Sequence, residues 1–224
     1  HWQKMLANMD VQQMETPEQA LALLTTITGN EQPFRRALTS LSDNTGSRTF
    51  SDETPAGTRD INARIARPFT QLNDSLNGRD DKVALIQEVN QKLTDLYHWL
   101  EQIVNAVDPG GAALKAIQQR QANPYTDPAF TLQQYARGLP APLDRWVNQI
   151  ADEVSGLTVN LAMSSLNDAW SEKVVGPFND QLAHRYPFDP SAEDDAPLSE
   201  IERFFGPALS LIHISEPTRL ALIS

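Results

Sequence analysis

Residues 170–188 read WSEKVVGPFNDQLAHRYPF, and after an acidic turn residues 197–207 read PLSEIERFFGP. In the first segment an apolar residue recurs at every fourth position: Trp170, Val174, Phe178 and Leu182. This spacing places the four side chains on one side of a helix. The helix is predicted to end before Pro187, because the residue preceding a proline is disfavoured in the helical region.

The second segment predicts a short helix that begins at Pro197, since proline suits the first helical position. Gly206 and Pro207 are expected to end it. Its apolar residues are Leu198, Ile201, Phe204 and Phe205. The two segments together predict an aromatic corner, and that corner packs only if four rings share one pocket: those of Tyr186, Phe188, Phe204 and Phe205.

Composition places the chain among ordinary globular proteins. It has 224 residues, of which 40% are hydrophobic and 21% charged, enough for one large domain or two small ones. The net charge of -11 argues against binding to nucleic acid or to anionic lipid. No cysteine is present, which excludes disulfides and thiolate chemistry. No apolar run reaches the roughly 20 residues of a membrane helix, and no signal peptide is visible. Because the chain opens on His1 in mid-pattern, we expect it to be a fragment.

Two apolar seams with alternating steps of three and four predict long helices that pack lengthwise against neighbours. The first lies within residues 81–107: Ile86, Val89, Leu93, Leu96, Leu100, Ile103 and Val107. The second follows Pro142, with Trp146 beside it: Leu143, Val147, Ile150, Val154, Leu157 and Leu161. Trp99, Trp146 and Trp170 lie on or beside such seams and are interpreted as core residues.

Shorter signals complete the prediction. Thr16-Pro17-Glu18-Gln19 is typical of a capped helix start, and Gly29 marks that helix's end. Further helices are predicted over residues 32–41, over 61–76 (interrupted by Pro68), from the break at Asp108-Pro109-Gly110-Gly111 to about 121, and up to Arg137. In the 61–76 helix the apolar residues recur at spacings of four and three: Ile61, Ile65, Phe69 and Leu72. Residues 42–60 are rich in Ser, Thr, Asp and Gly and predict a long, flexible exposed loop. No segment alternates as a half-buried strand does. The predicted fold is therefore all-α: an elongated multi-helix bundle with long antiparallel helices.

A search for chemistry finds no reactive set. His1, His98, His184 and His213 lack partners at metal-ligand spacing, and packing or surface positions are the default interpretation. The acids from Asp189 to Glu202 fail the spacing of a calcium loop and are interpreted as a solvated turn. No nucleophile elbow or phosphate-binding loop is present. We therefore predict no catalytic residue, no cofactor site and no metal site.

The two quoted segments resemble the signature of the IcmF/TssM family, inner-membrane components of bacterial type VI secretion systems. The resemblance covers about residues 5–207, and it is most specific in the Arg-Tyr-Pro-Phe and Phe-Phe-Gly-Pro runs. The residues that carry it as a structural signature are Trp170, Phe178, Arg185, Tyr186, Pro187, Phe188, Phe204, Phe205, Gly206 and Pro207.

The resemblance implies a structural role. Residues 1–207 would be a helical part of the periplasmic portion of an inner-membrane protein in a Gram-negative bacterium. The segment would act as a scaffold in the trans-envelope membrane complex. The implied partners are a TssJ-like lipoprotein, a TssL-like membrane protein and further copies of the protein itself, with no nucleic acid. The parent protein's membrane anchor, its NTPase-like domain and its β-rich domain would lie outside this segment, so we expect no ATP site here.

Residues 208–224 depart from the family pattern. The run LSLIHISEPTRLALIS, from Leu209 onward, resembles translated adapter sequence. We expect this tail to be foreign to the protein and to pack poorly.

Two alternatives stay open. One is a helical ligand-binding or enzymatic domain with a site between the long helices, which would require a convergent polar pocket with buried carboxylates. The other is a coiled-coil adaptor whose 86–107 seam faces another chain, which the oligomeric state would test.

Overall fold

The computed structural model describes residues 11–30, 32–45, 55–67, 70 and 84–206. Throughout these ranges the regular structure is helical, apart from one isolated bridge between Tyr186 and Asp195. The helices are, in chain order, α1 (Pro17–Thr28), α2 (Pro33–Thr45), α3 (Ala56–Ala66), α4 (Leu85–Val104), α5 (Pro109–Ala122), α6 (Pro128–Ala136), α7 (Leu143–Trp170), α8 (Gly176–Gln181) and α9 (Leu198–Phe205). The all-α prediction is confirmed.

The chain divides into two compact units. The first consists of His1–Val104 and Pro128–Leu157, and the second of Asn105–Asp127 and Thr158–Ser224. Helix α7 supplies residues to both.

The core of the first unit is built from the two predicted seams. On α4 the side chains with no exposed surface are Val89, Leu93, Leu96 and Leu100. On the first half of α7 they are Leu143, Val147, Ile150, Ala151 and Val154. Leu24 from α1 and Leu132 from α6 join the same cluster. The interpretation of Trp146 as core is also confirmed, since it is buried and stacks on Phe34 with ring centroids 5.4 Å apart.

Helix α7 passes into α8 through one π-helical turn, Ser171–Val175. In that turn the Gly176 N–H donates to the carbonyl of Ser171. Pro177 is the second residue after the turn and has no N–H to continue the helical ladder. The π turn therefore accommodates Gly176-Pro177 without a break in the helix, a common use of single π turns.

Three sequence expectations need correction. Helix α4 ends at Val104, so Val107 is not on the seam and its side chain is fully exposed. The reason is that Asp108 adopts an extended conformation to cap α5, where its Oδ1 accepts from the Gly111 N–H at 2.9 Å. Ile61 was expected on a helix seam but is 60% exposed.

The third correction concerns the loop predicted over residues 42–60. Helix α2 continues to Thr45 and α3 already begins at Ala56, so both ends of that range are helical. Residues 46–54 lie outside the described residues, as do Pro68, Phe69 and Leu72 of the predicted 61–76 helix.

The start of α1 follows the capping pattern of the sequence. The Thr16 hydroxyl accepts from the Gln19 N–H at 3.3 Å, and the Gln19 side-chain oxygen accepts from the Glu15 N–H at 2.9 Å. These contacts satisfy backbone donors that a helix start leaves without partners.

Replacing Thr16 by alanine is expected to lower the free energy of unfolding by about 1 kcal/mol, because the cap is lost. Urea denaturation followed by circular dichroism measures this effect. Thr26→Ala is the matched control: Thr26 is exposed on the same helix, and its hydroxyl donates to the Ala22 carbonyl within the helix. Equal losses for both variants would contradict a capping role for Thr16.

Candidate functional site

The aromatic corner is formed by four phenylalanine rings in the second unit. Phe178 of α8 meets Phe188 edge-on, with centroids 5.4 Å apart, and meets Phe204 edge-on at 6.0 Å. Phe188 stacks on Phe205 at 5.9 Å. These are the offset and edge-to-face geometries that aromatic pairs favour. The rings thus join α8, the following turn and α9.

Main-chain hydrogen bonds hold the turn between the two helices. The Tyr186 N–H donates to the Asp194 carbonyl at 2.9 Å, and the Ala196 N–H donates to the Tyr186 carbonyl at 2.8 Å. Inside this loop Asp189 accepts from the hydroxyl and the N–H of Ser191, at 2.6 and 2.9 Å. Those two bonds lower the pKa of the Asp189 carboxyl. The acidic turn predicted from the sequence is therefore closed by its own backbone.

Beneath the rings lies a small apolar core of Val174, Leu182 and Phe204, with Phe178, Phe188, Ala196 and Ile201 packed against it. Leu182 has no exposed surface, as its position on the apolar side of the helix predicted. This core is far smaller than that of the first unit.

Tyr186 does not share the pocket, contrary to expectation. The residue is 55% exposed, and its contribution is made by its N–H and carbonyl, which pair across the turn. Phe188, Phe204 and Phe205 are brought together as predicted, although Phe205 stays 54% exposed. Sequence spacing missed this because it identifies a helix face and cannot identify what covers it.

Trp170 is a second correction, since it is 40% exposed and was interpreted as core. It is the last residue of α7 before the π turn, and from Ser164 to Trp170 no side chain of α7 is fully buried. The seam of that helix has therefore ended before it reaches Trp170.

The remaining signature residues have backbone roles or lie at the surface. The Arg185 carbonyl accepts from the N–H groups of Phe188 and Asp189, and Pro187 is exposed. The Gly206 N–H donates to the Glu202 carbonyl at 2.8 Å and ends α9. A Cβ at position 206 would overlap that carbonyl oxygen, which explains the glycine. Pro207 lies outside the described residues.

A groove of about 260 Å³ in the first unit is a candidate for a small-molecule site. Its apolar side is formed by Ile27, Phe34 and Ile86, and its polar side includes Arg35 and Asn90. The other polar lining residues are Gln32, Gln87, Gln91 and Thr94. Amides and a guanidinium can bind a polar ligand, but the lining contains no carboxylate, histidine or lysine to move a proton.

His98 lies on the solvent side of α4. Its Nδ1 is 3.4 Å from Glu101 Oε2, and its side chain is 61% exposed. Glu101 also accepts from the Tyr97 hydroxyl at 2.7 Å. The hydrogen bond from Tyr97, then that from His98, lowers the pKa of Glu101 below its ordinary value of 4.5. The arrangement is a surface network along one helix.

We expect Tyr97→Phe to raise the pKa of Glu101, because the largest stabilising contact of the charged form is removed. NMR titration of the Glu101 side chain measures the change. A lowered folded-state pKa stabilises the fold above the unfolded pKa, and this contribution is lost as pH falls through the folded value. In the Tyr97→Phe variant the free energy of unfolding should therefore fall less than in the unsubstituted protein as the pH drops below about 4.5. Tyr135→Phe is the control, because it removes a different hydrogen bond, to Glu88, and should leave the pKa of Glu101 unchanged. If Glu101 titrates identically in the unsubstituted protein and in both variants, the Tyr97 hydrogen bond does not lower its pKa.

Within the described ranges, no three His, Asp or Glu side chains converge as a metal site requires. Nor does any helix in that part of the chain have the length and apolar character needed to cross a membrane.

Two protein families match the chain. Residues 161–221 match the type VI secretion protein IcmF helical domain, and residues 1–46 match an IcmF-related family described as intracellular multiplication and human macrophage-killing. Both matches support membership of the chain in the IcmF/TssM family. No curated protein and no solved structure gives a significant match.

The two IcmF matches fall on the segments that carry the resemblance. The helical-domain match contains all ten signature residues and the whole aromatic corner, and the other match contains α1 and α2. The chain is thus assigned to a component of type VI secretion. The helical-domain match continues beyond Pro207 to residue 221, and the foreign origin of residues 208–224 stays a prediction.

Proposed function

We propose that this chain is a helical scaffold segment of the type VI secretion membrane complex, on its periplasmic side. The observation that carries the proposal is that the aromatic corner lies inside the range that matches the IcmF helical domain. Ring contacts and main-chain bonds there hold α8 and α9 in one arrangement. Such an element transmits position between partners and needs no reactive side chain.

The proposed partners are other subunits of the complex. They are a TssJ-like lipoprotein, a TssL-like membrane protein and further copies of the chain, and this set rests on family membership. The membrane anchor is proposed to lie outside residues 1–207. The foreign-tail hypothesis belongs to the same proposal, and the genomic reading frame after Pro207 tests it.

The groove of the first unit supports a second candidate, a ligand-binding domain. Its amide-rich wall and apolar floor can accept a small polar molecule. The lack of an acid or base among its lining residues favours binding over catalysis.

The periplasmic location can be tested by labelling, because the chain contains no cysteine. A Val107→Cys substitution puts one thiol at a fully exposed position. In a cysteine-free IcmF-family protein that carries this segment, a membrane-impermeant maleimide should label the thiol in intact spheroplasts. Labelling only after lysis would show that the segment is cytoplasmic.

The scaffold role is tested by comparing a variant that disrupts the fold with a variant that changes only the groove, both in the same host protein. Leu93→Asp buries a charge in the first unit and should abolish both membrane-complex assembly on native gels and effector secretion. A groove double variant, Arg35→Ala with Asn90→Ala, should leave both intact. If the groove variant assembles normally but does not secrete, the ligand-binding candidate replaces the scaffold proposal.

A further inference from the structure

Helix α9 presents an apolar stripe to solvent. Leu198 and Phe205 are seven residues apart and therefore lie on the same side of the helix. They are 69% and 54% exposed, whereas Phe204, on the adjoining side, is buried in the corner. Ile201 lies between the two sides and is half-buried.

The stripe is held in place before anything binds it. One ring face of Phe205 is stacked on Phe188 at 5.9 Å, and Phe204 anchors the helix against Phe178. A preordered aromatic side chain loses little conformational entropy on binding, which is a property of interface anchors.

Acidic side chains, here called the acidic border, lie on α9 beside Leu198 and in the turn that leads into α9. Glu202 is about 40° from Leu198 around the helix at 100° per residue, and it is exposed. The turn that leads into α9 carries three more exposed acids: Glu193, Asp194 and Asp195. In the sequence from 189 to 206 Arg203 is the sole basic residue, and its Nη1 lies 3.3 Å from Glu200.

We propose that this stripe, Leu198 and Phe205 with its acidic border, is a docking surface for a basic amphipathic helix of a partner protein. Apolar anchors of the partner would cover Leu198 and Phe205, and its Lys or Arg side chains would face Glu202, Asp194 and Asp195. Burial of the apolar atoms supplies affinity, and the charges supply orientation and association rate.

Charge favours a basic partner helix over a second copy of the chain or a membrane surface as the occupant of the stripe. Two copies of the stripe would oppose the same acidic border to each other, so symmetric self-association is disfavoured. Anionic lipid is repelled for the same reason. The inference states which kind of partner the proposed scaffold would bind, and its biological meaning rests on the proposed scaffold role. The binding itself is measured on the purified chain, so failure of binding and failure of the secretion role are distinguishable.

The test uses the 224-residue chain and three fluorescein-labelled peptides in an anisotropy titration. The first is an amphipathic helix of leucine and lysine, the second replaces lysine by glutamate, and the third keeps lysine but replaces leucine by glutamine. We expect binding of the first peptide, with an affinity at least about tenfold above that of the other two. Equal binding of the lysine–glutamine peptide would overturn the proposal, since charge alone would suffice.

Variants locate the site. Leu198→Ser should weaken the leucine–lysine peptide about fivefold to tenfold, because an apolar contact is lost. Leu198 is in none of the ring pairs of the corner, so this change leaves the stacking intact. Glu202→Gln with Asp195→Asn should also weaken binding and flatten its salt dependence. Ile61→Ser with Val107→Ser removes two other exposed apolar side chains and should have no effect; an equal loss in this control would overturn the assignment.

Three further measurements test whether the stripe binds residues 208–224, a second copy of the chain or a membrane instead. A chain that ends at Pro207 should bind the peptide with unchanged affinity; tighter binding would assign the stripe to residues 208–224 instead. Sedimentation should show no Leu198-dependent dimer, and phosphatidylserine vesicles should not retain the chain. A positive result in either measurement would replace the partner helix by a second copy or by a membrane.

Discussion

Leu93→Ala is expected to lower the free energy of unfolding by about 2–5 kcal/mol. Leu93 has no exposed surface and lies on α4 in the middle of the first unit's core. The loss combines the transfer free energy of the removed methyl groups with the cost of the cavity left behind. Urea denaturation followed by circular dichroism measures it. A loss below about 1 kcal/mol would mean that the core around α4 is loosely packed or can collapse around the site.

The seam itself provides a matched control. Val89 and Val107 fit the same three/four pattern, but Val89 has no exposed surface and Val107 is fully exposed. Val89→Ala should cost about 1.5–2 kcal/mol for two buried methyl groups. Val107→Ala should change stability by less than about 0.5 kcal/mol. Equal effects would show that α4 continues to Val107 and would contradict its end at Val104.

Gly110→Ala is expected to lower the free energy of unfolding by about 3 kcal/mol. In the second unit a Cβ at position 110 would overlap the Ser165 Cβ of α7, and it would lie 2.6 Å from Ser165 Oγ and 3.4 Å from the Leu161 carbonyl oxygen. A Cβ cannot rotate away, so α5 and α7 must separate. Thermal and urea denaturation measure the loss.

Substitutions of Ser165 test whether its contact with the added Cβ causes the loss of stability. Ser165→Gly removes the opposing Cβ, so Gly110→Ala combined with Ser165→Gly should recover most of the loss, apart from about 1 kcal/mol for a mid-helix glycine. Ser165→Ala keeps the Cβ and should give no rescue. Gly156→Ala is the control, because nothing lies within 4 Å of the added Cβ in α7. It should stabilise the helix by about 0.5–1 kcal/mol. Rescue by Ser165→Ala would point to the hydroxyl and away from backbone proximity.

These two predictions describe different kinds of packing. In the first unit stability comes from large aliphatic side chains along two seams. In the contact of α5 with α7, a glycine permits close approach of backbones. Both kinds of contact hold helices against each other, as the proposed scaffold role requires.

Local patterns were sufficient for much of the fold. The apolar spacing on α4 and α7 identified the buried side chains, because helical periodicity depends only on neighbours three and four residues away. The cap at Thr16 and the proline that opens α1 also follow from a few adjacent residues. Asp108-Pro109 was interpreted only as the end of α4, whereas in the structure it caps and opens α5. The clustering of Phe188, Phe204 and Phe205 was predicted from the same information.

Which apolar residues are buried and which are exposed could be decided only from the tertiary structure. Val107 and Ile61 obey apolar periodicity but are exposed, because burial depends on whether another element covers that face. Trp170, Tyr186 and Leu198 are exposed for the same reason. The contact of Gly110 with Ser165 joins residues far apart in the chain, which no local pattern encodes. Short-range periodicity thus determined which residues form helices and which face is apolar, whereas long-range packing decided which of those faces is covered and which stays exposed.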